Sequence, residues 1–473
     1  MAAVSNSLRR QIEKLEAQFT VDDEKLKAIS RHFVGELEKG LSKEGGSLPM
    51  NPTWIVSLPD GNEQGTYITL EIGGTNVRVH QITLTGRTSQ FDRISSEWGI
   101  PKDIKSADAD TFWDFVAGCL DKFLEQHPDA REKKLPLSLI FSYPVTQDHI
   151  NAGILQRWTK GFNVSGVEGQ DVVPMFREAL MRRQIPVTLE VLTNDTTATL
   201  IASAYADPRT RIGCIFGTGC NAAYMEDCGS IPKLAHLRLP PDMPMAINCE
   251  WGAFDNERKV LPRTPYDVTI DDTSPRPGQQ VFEKMVAGLY LGEIFRLVLL
   301  DFHDNRAVGI FEGQDVSKLR EPYSLDSSIL SLVAKDESKD HREIRHFFQS
   351  KLGLTCRDAE LELVRRASTV ILMRAARLVA CGIAAICTKK GYESCRVGAE
   401  GSLIEKHPRF RGVLTQSLRR ILDWPDKKNP NDEDPVEIII SGGSGLGAAV
   451  VAELTLRRIR EGNTYGVLQV AQS

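Results

Sequence analysis

Two apolar runs enclose a glycine pair in the segment Leu70-Glu71-Ile72-Gly73-Gly74-Thr75-Asn76-Val77-Arg78-Val79. Two strands joined by such a bare turn expose backbone N–H groups beside the Thr75 hydroxyl. Together these groups suit an anion, most often a phosphate. The Glu71 carboxylate at the strand end is suited to hold Mg²⁺ through water. Taken alone, the segment is equally typical of an ordinary β-hairpin.

The length and charge of the chain set its broad class. At 473 residues the chain exceeds one ordinary core, so we expect two domains. A net charge of −5 gives no basic excess for a nucleic-acid surface. The sequence contains no run of about 18 apolar residues, so no membrane span is predicted. The first 20 residues mix acidic and basic side chains, which is typical of an amphipathic helix and not of a targeting peptide.

The cysteines indicate the redox state of the protein. There are nine, they are scattered, and no C-x-x-C pair occurs. This pattern argues against structural zinc. We expect reduced, mostly buried thiols, as in proteins of the cytoplasm.

Hydrophobic periodicity and β-branched residues predict an α/β chain that becomes more helical toward its C-terminus. The predicted strands are 66–72, 77–84, 135–141, 186–192, 211–216 and 436–440. The predicted helices are 7–40, 109–126, 278–302, 358–389 and one that begins near 447, while a charged loop covers 423–435.

Two further glycine turns follow predicted strands. The turn Gly217-Thr218-Gly219 repeats the strand–turn–strand pattern, which favours two related α/β halves that hold a nucleotide between them. The alternative is a coincidence of common Gly-Thr pairs. The last turn, 442–447, precedes a helix and also suits a nucleotide. Its spacing is Rossmann-like, but no second strand follows, and the chain has no P-loop motif.

Several segments in this order resemble the hexokinase family: FSYPV at 141–145, LQRWTKGF at 155–162, LTNDT at 192–196, FGTGCN at 216–221 and NCEWG at 248–252. The run 261–284 is similar to fungal-type hexokinases in particular. The likeness covers nearly the whole chain. It implies an α/β fold with two ribonuclease-H-like lobes, as in the actin-like ATPase superfamily, that close on a sugar and ATP.

The resemblance also implies how the chain divides. Residues 1–59 would form the N-terminal helix and a lead-in that belong to the large lobe. Residues 60–193 would form the small lobe, and 194–454 the large lobe. Residues 455–473 would form a C-terminal helix that returns to the small lobe, with its helical part at about 455–470.

The resemblance assigns site residues as well. Asp195 would be the catalytic base that takes the proton of the attacking hydroxyl; read alone, Asn194-Asp195 is more typical of a helix N-cap. The hexose would contact Ser142, Tyr143, Thr159, Lys160, Asn194, Asn221, Glu250 and Glu283. The ATP would contact Glu71, Gly73, Gly74, Thr75, Asn76, Thr218, Gly219, Gly401, Ser402, Gly443, Ser444 and Gly445. The Mg²⁺ would be held by the ATP phosphates and water, without a direct protein ligand.

The chain departs from the family at three positions, all on the nucleotide side. Glu71 and Glu400 stand where the family usually has Asp, and Gly442 stands where its last glycine turn begins with Asp. A Glu arm reaches roughly 1.5 Å further than an Asp arm. A misplacement of about 1 Å in a catalytic array lowers a rate about 10²-fold.

Two functions therefore follow from the sequence. The first is ATP-dependent phosphorylation of a hexose, glucose or similar, at its 6-hydroxyl, the first step of hexose metabolism. The alternative is a catalytically impaired, hexokinase-like sensor that binds the sugar and regulates through a partner. The expected location is the cytoplasm, or the nucleus for a regulator. No direct nucleic-acid or membrane partner is expected, and an oligomer or a regulatory protein partner is left open.

Overall fold

The computed structural model describes residues 6–42, 46–88, 90–305, 308–425, 429 and 432–468. The strands in these residues are β1 (Asn51–Pro52), β2 (Gln64–Ile72), β3 (Asn76–Thr85), β4 (Phe91–Gly99), β5 (Pro136–Phe141), β6 (Val145–Thr146), β7 (Ile154–Leu155), β8 (Thr188–Thr193), β9 (Thr210–Phe216), β10 (Cys220–Asp227), β11 (Pro244–Asn248), β12 (Cys395–Glu400) and β13 (Val436–Ile440).

The α-helices in the same residues are α1 (Asn6–Phe19), α2 (Asp23–Ser42), α3 (Ala109–Gln126), α4 (Pro128–Glu132), α5 (Val172–Arg182), α6 (Asp195–Ala206), α7 (Pro265–Thr273), α8 (Val281–Val286), α9 (Gly288–Asp304), α10 (Ser317–Arg320), α11 (Ser328–Lys335), α12 (Arg342–Phe347), α13 (Asp358–Lys390), α14 (Ser402–Lys406), α15 (Phe410–Ile421) and α16 (Ser444–Arg460).

Several elements differ from the sequence prediction. The predicted helix 7–40 is two helices, α1 and α2. The predicted helix 278–302 is also two, α8 and α9, because the chain becomes extended at Ala287. Strand β4 is absent from the prediction, since it is a largely exposed edge strand with few apolar residues. The predicted charged loop lies partly outside the described residues.

The smaller sheet has the strand order β4-β3-β2-β5-β8. Strand β3 runs antiparallel to β2 and β4, whereas β5 and β8 run parallel to β2. The carboxyl ends of β2, β5 and β8 therefore meet at one edge of the sheet. That edge carries the glycine turn after Ile72, the segment after Phe141 and the start of α6.

The larger sheet repeats this arrangement with the order β1-β11-β10-β9-β12-β13. Strand β10 runs antiparallel to β9, and β12 and β13 run parallel to β9. Strand β1 is an addition at the edge, paired with β11. The repeated order confirms the predicted fold class of two ribonuclease-H-like lobes.

Helices α6 and α16 pack against each other between the two sheets. Helix α6 also contacts β9 and β12 of the larger sheet, and α16 contacts β2 and β5 of the smaller one. Helix α16 ends at Arg460, ahead of the predicted limit, and Gly462 follows it with a φ of 84°, in the left-handed region that favours glycine after a helix end. Residues 461–468 form turns and short connections, and 469–473 lie outside the described residues.

Helix α13 is the central helix of the larger lobe. It packs against α1, α2, α9 and α15. By length and composition it is long and apolar enough to cross a membrane, with an 18-residue window of mean hydropathy 2.0, but 83% of that window is buried inside the protein. Its hydrophobicity is therefore explained by packing in the core. All nine cysteines are free thiols and buried, as expected.

Candidate functional site

The glycine turns of both lobes converge on one cavity of about 460 Å³ between the sheets. Every residue predicted for the nucleotide side lines this cavity: Glu71, Gly73, Gly74, Thr75, Asn76, Thr218, Gly219, Gly401, Ser402, Gly443, Ser444 and Gly445. They come from distant parts of the sequence and meet because they follow strands β2, β9, β12 and β13. Backbone N–H groups and hydroxyls concentrated in this way suit a polyphosphate.

A second, narrower cavity adjoins the first. It is lined by most of the residues predicted for the sugar side: Ser142, Thr159, Lys160, Asn194, Asn221, Glu250 and Glu283. Asp195 lines both cavities, as do Ser142 and Lys160. The predicted base therefore lies where the two cavities join.

Tyr143 is placed differently from the prediction. It is buried against the core of the small lobe, beside Trp158 and Phe162, and lines neither cavity. Ser142 and Tyr143 are consecutive in an extended segment, so their side chains point to opposite sides. The Tyr143 hydroxyl donates to the Gly73 carbonyl oxygen at 3.1 Å. Tyr143 therefore supports the glycine turn rather than lining the sugar cavity.

The N-cap alternative is correct for Asn194, and it leaves Asp195 available. The Asn194 side chain accepts a 2.8 Å hydrogen bond from the Thr196 backbone N–H. Asp195 occupies the first turn of α6, where the helix dipole favours a carboxylate. Its Oδ1 accepts from the Thr196 hydroxyl at 3.1 Å. The Lys160 ammonium lies 3.8 Å from its Oδ2.

Two buried carboxylates lie on the larger-lobe side of the sugar cavity. Glu250 Oε1 accepts from the side-chain amides of Asn221 at 3.2 Å and Asn248 at 2.8 Å. Glu283 Oε2 accepts from the Cys220 backbone N–H at 3.1 Å. Burial raises the pKa of both carboxyl groups above the usual range. Each retains acceptor capacity for a hydroxyl-rich ligand.

Unsatisfied polar atoms and strained backbone mark the same cavity. Ser142 Oγ and Gln280 Oε1 are buried and have no hydrogen-bond partner in the described part of the chain. Lys160, Glu250 and Gln280 have φ angles of 56°, 52° and 53°, which non-glycine residues seldom adopt. Such strain and unmade bonds cluster where a ligand binds. Gln280 is absent from the sequence prediction, although it lies in the run that resembles fungal hexokinases.

The two substituted glutamates converge on Ser444, the first residue of α16. Glu71 Oε2 accepts from the Ser444 hydroxyl at 3.1 Å, and Glu71 Oε1 lies 3.3 Å from Arg78. Glu400 Oε2 accepts from the Ser444 N–H at 2.9 Å and from the Thr199 hydroxyl at 3.1 Å. Burial, followed by repulsion from Glu71, raises the pKa of Glu400 to about 7. The side chains of Glu71 and Glu400, which are longer than Asp, thus hydrogen-bond to Ser444 in the last glycine turn.

The smaller lobe adds cationic and aromatic groups that the sequence prediction lacks. Arg78 and His80 on β3 and Arg93 on β4 line the nucleotide cavity. Arg78 and His80 are two residues apart and so share a face of the sheet. Burial, with repulsion from Arg93 and Arg78, lowers the pKa of His80 to about 4.

Within the described residues, no group of three or more His, Cys, Asp or Glu side chains is arranged to hold a metal ion.

Comparisons with known proteins agree with this geometry. Family models described as hexokinase match residues 11–205 and 211–454. The chain is 53% identical to the hexokinase of Emericella nidulans over 469 residues, covering 99% of this chain and 95% of that protein. It is 45% identical to hexokinase-2 of Saccharomyces cerevisiae, covering 99% and 96%.

A solved structure is also similar. The hexokinase from Schistosoma mansoni complexed with glucose matches with a TM-score of 0.85 and 30% identity, covering 94% of this chain and 99% of that one. The repeated sheets and the cleft between them define a two-lobed protein of the actin-like ATPase superfamily. Within that class, the chain belongs to the hexokinase family.

Proposed function

We propose that this chain transfers the terminal phosphoryl group of ATP to the 6-hydroxyl of a hexose, glucose or a close relative. The position of Asp195 carries the proposal, because its carboxylate lines both the sugar-type cavity and the cavity formed by the glycine turns. Hexokinases at 53% and 45% identity, and the similar hexokinase structure with glucose, support the same reaction.

The residues divide the work between recognition and proton transfer. Glu250, Glu283 and Asn221 would accept and donate hydrogen bonds to sugar hydroxyls, and Ser142 and Gln280 would gain the partners that they lack. A bound hydroxyl at the junction would give its proton to Asp195 as it attacks the phosphoryl group. A base positioned in this way contributes about 10²–10⁴-fold in rate.

The glycine turns would hold the phosphates. Phosphoryl transfer relies mostly on positioning and on neutralising charge at the transferred oxygens. The backbone N–H of Gly74, with the hydroxyls of Thr75 and Thr218, supplies donors from both lobes. Closing the lobes would exclude water, which is itself an acceptor for the phosphoryl group.

The oxygen donors of the cavity fit a divalent cation such as Mg²⁺. Glu71 and Asp195 present carboxylates beside the phosphate turns, and hard oxygen ligands are those that Mg²⁺ prefers. The ion would be bound by ATP phosphates and water, with these carboxylates as hydrogen-bond acceptors for its waters. When bound, it supplies charge neutralisation at the phosphates.

The regulatory alternative has no observation in its favour. Glu71 and Glu400 both make hydrogen bonds to Ser444 and so connect to the last turn. We infer a cytoplasmic location for an enzyme with nine reduced thiols. We also retain the lobe limits 60–193 and 194–454 as a proposal, with 1–59 joined to the large lobe; the limit at 454 falls inside α16.

A coupled assay with ATP and glucose tests the proposed activity. Purified wild-type protein is compared with Asp195→Asn, which keeps the size of the side chain and the Asn194 cap. We expect steady turnover in the wild type and a loss of about 10²-fold or more in the variant. Wild-type turnover no higher than that of Asp195→Asn would refute the proposal.

A further inference from the structure

We propose that Arg93 binds the phosphates of the nucleotide that are not transferred. This inference rests on the proposed function and adds a residue to the nucleotide cavity. Arg93 lies on β4, the edge strand of the smaller sheet, opposite Ile82 of β3. It lines the cavity together with the glycine turn 443–445.

The charge of Arg93 has no acidic partner among the residues that the structure describes. Its neighbour Arg78 is committed to carboxylates, with Glu71 at 3.3 Å and Glu97 at 3.2 Å. Arg93 forms no ion pair or side-chain hydrogen bond with any residue that the structure describes. A guanidinium that faces a polar cavity without an acidic partner is suited to bind an anion, and phosphate matches its planar fork of donors.

The surroundings fix which part of the nucleotide Arg93 would meet. One Arg93 Nη atom lies 3.8 Å from where a Cβ on Gly443 would be. His80 fills the adjoining space, 2.7 Å from the corresponding position on Gly445. Because Gly443 carries no side chain, its backbone lies open to the guanidinium.

Arg93 lies outside the sugar-side cavity that Asp195 also lines. Asp195 lines both cavities, whereas Arg93 lines only the nucleotide cavity. The ion pair of Glu71 with Arg78 also lines only the nucleotide cavity. The guanidinium would therefore bind the phosphates that remain on the nucleoside diphosphate, not the oxygen atoms of the transferred group. Its contribution is to nucleotide affinity and not to the chemical step.

Isothermal titration calorimetry tests this assignment on the full-length protein. ADP, ATP and adenosine are titrated, with Mg²⁺ present throughout, into the wild type and Arg93→Gln. A charge-assisted hydrogen bond is worth about 1.5–3 kcal/mol, so we expect ADP and ATP to bind about tenfold or more weakly in the variant. Adenosine and glucose should bind with unchanged affinity.

Arg87→Gln is the matched control. Arg87 is an exposed arginine in the turn between β3 and β4 and lies outside the cavity. Its removal lowers the net charge by the same amount, so its nucleotide affinities should equal those of the wild type. Equal losses in the two variants would mean a general charge effect and would overturn the assignment.

Steady-state kinetics supply a second readout. Arg93→Gln should raise KM for ATP about tenfold while kcat changes less than twofold, because the lost interaction is equal in the ground and transition states.

Unchanged affinity for ADP would overturn the proposal even if the enzyme is active. A wild type that binds ADP but transfers nothing would refute the proposed function and leave Arg93 confirmed as a ligand. If Arg93→Gln fails to fold, Arg93→Lys should still bind ADP about threefold more weakly, and wild-type affinity in that variant would contradict the proposal.

Discussion

The Lys160 ammonium group lies 3.8 Å from Asp195 Oδ2 and donates a 2.8 Å hydrogen bond to the Ser142 carbonyl oxygen. Lys160 belongs to the small lobe, and Asp195 begins the helix that packs on the larger sheet. The contact therefore orients the carboxylate across the cleft. It makes the lysine a positioning residue for the base as well as a candidate sugar ligand.

Replacing Lys160 with Met should lower kcat/KM for the hexose about 10²-fold. The reason is geometric, since a displacement of about 1 Å in a catalytic array has that effect. The coupled assay measures it, and Lys102→Met, at an exposed position outside both cavities, should leave the rate unchanged. A loss of less than threefold in Lys160→Met would show that Lys160 does not position the base.

Replacing Glu250 with Gln should weaken sugar binding about tenfold to a hundredfold. The variant loses a carboxylate acceptor that is fixed by two amides, and such a bond is worth about 1.5–3 kcal/mol. Tryptophan fluorescence measures the affinity directly, since Trp251 adjoins Glu250 in the chain. Glu257→Gln is the control, because Glu257 is exposed and pairs with the surface residues Lys39 and Lys259. Identical glucose affinities in the two variants would contradict the assigned role.

We predict that Glu400 makes the stability of the folded protein depend on pH. The folded carboxyl group keeps its proton up to about pH 7, whereas an unfolded glutamate loses it near its usual value of 4.5. The contribution of Glu400 to stability is therefore fully present below that usual value and is lost as pH rises through 7. Glu400→Gln mimics the protonated form, so it should raise the free energy of unfolding at pH 8 by about 1–3 kcal/mol.

Denaturant unfolding of the wild type and Glu400→Gln at about pH 4 and about pH 8 measures this effect. The two proteins should converge at the lower pH, where Glu400 is protonated. A difference of equal size at both pH values would show that Glu400 does not titrate as described.

Shortening Glu71 to Asp should lower activity, even though Asp is the usual family residue. The Glu71 carboxylate reaches both Ser444 and Arg78 with its present length. Withdrawing it by roughly 1.5 Å breaks at least one of these contacts. We expect KM for ATP to rise about tenfold, as the loss of one charge-assisted bond implies. A gain in kcat would instead support the alternative that Glu71 impairs the enzyme.

Local sequence patterns predicted most of the fold. Helix α3 has the bounds expected from its apolar periodicity, and the ends of strands β2 and β3 lie within two residues of those predicted. The break between α8 and α9 was hidden, because it depends on a distant contact: the Gly288 N–H donates to the Gly217 carbonyl oxygen at 2.8 Å. Edge strand β4 lacks the apolar alternation that marks a half-buried strand.

The site residues also divide into those with a local sequence signature and those that depend on distant contacts. The glycine turns were predictable because turns after strands carry a local signature, and all of them line the cavity. Arg93 and His80 depend on which residues of β3 and β4 lie opposite each other, and on α16 crossing that face, which no local pattern encodes. Tyr143 was misplaced for a similar reason, because its side chain turns toward the small-lobe core.

The central claim is that the Asp195 carboxylate takes the proton from the 6-hydroxyl of a bound hexose. A crystal structure of the wild type with glucose tests it most directly. We predict glucose in the cavity beside Glu250 and Glu283, with its 6-hydroxyl oxygen about 2.6–3.2 Å from an Asp195 oxygen. Glucose bound with that oxygen turned away from Asp195, or an empty cavity at saturating glucose, would contradict the account.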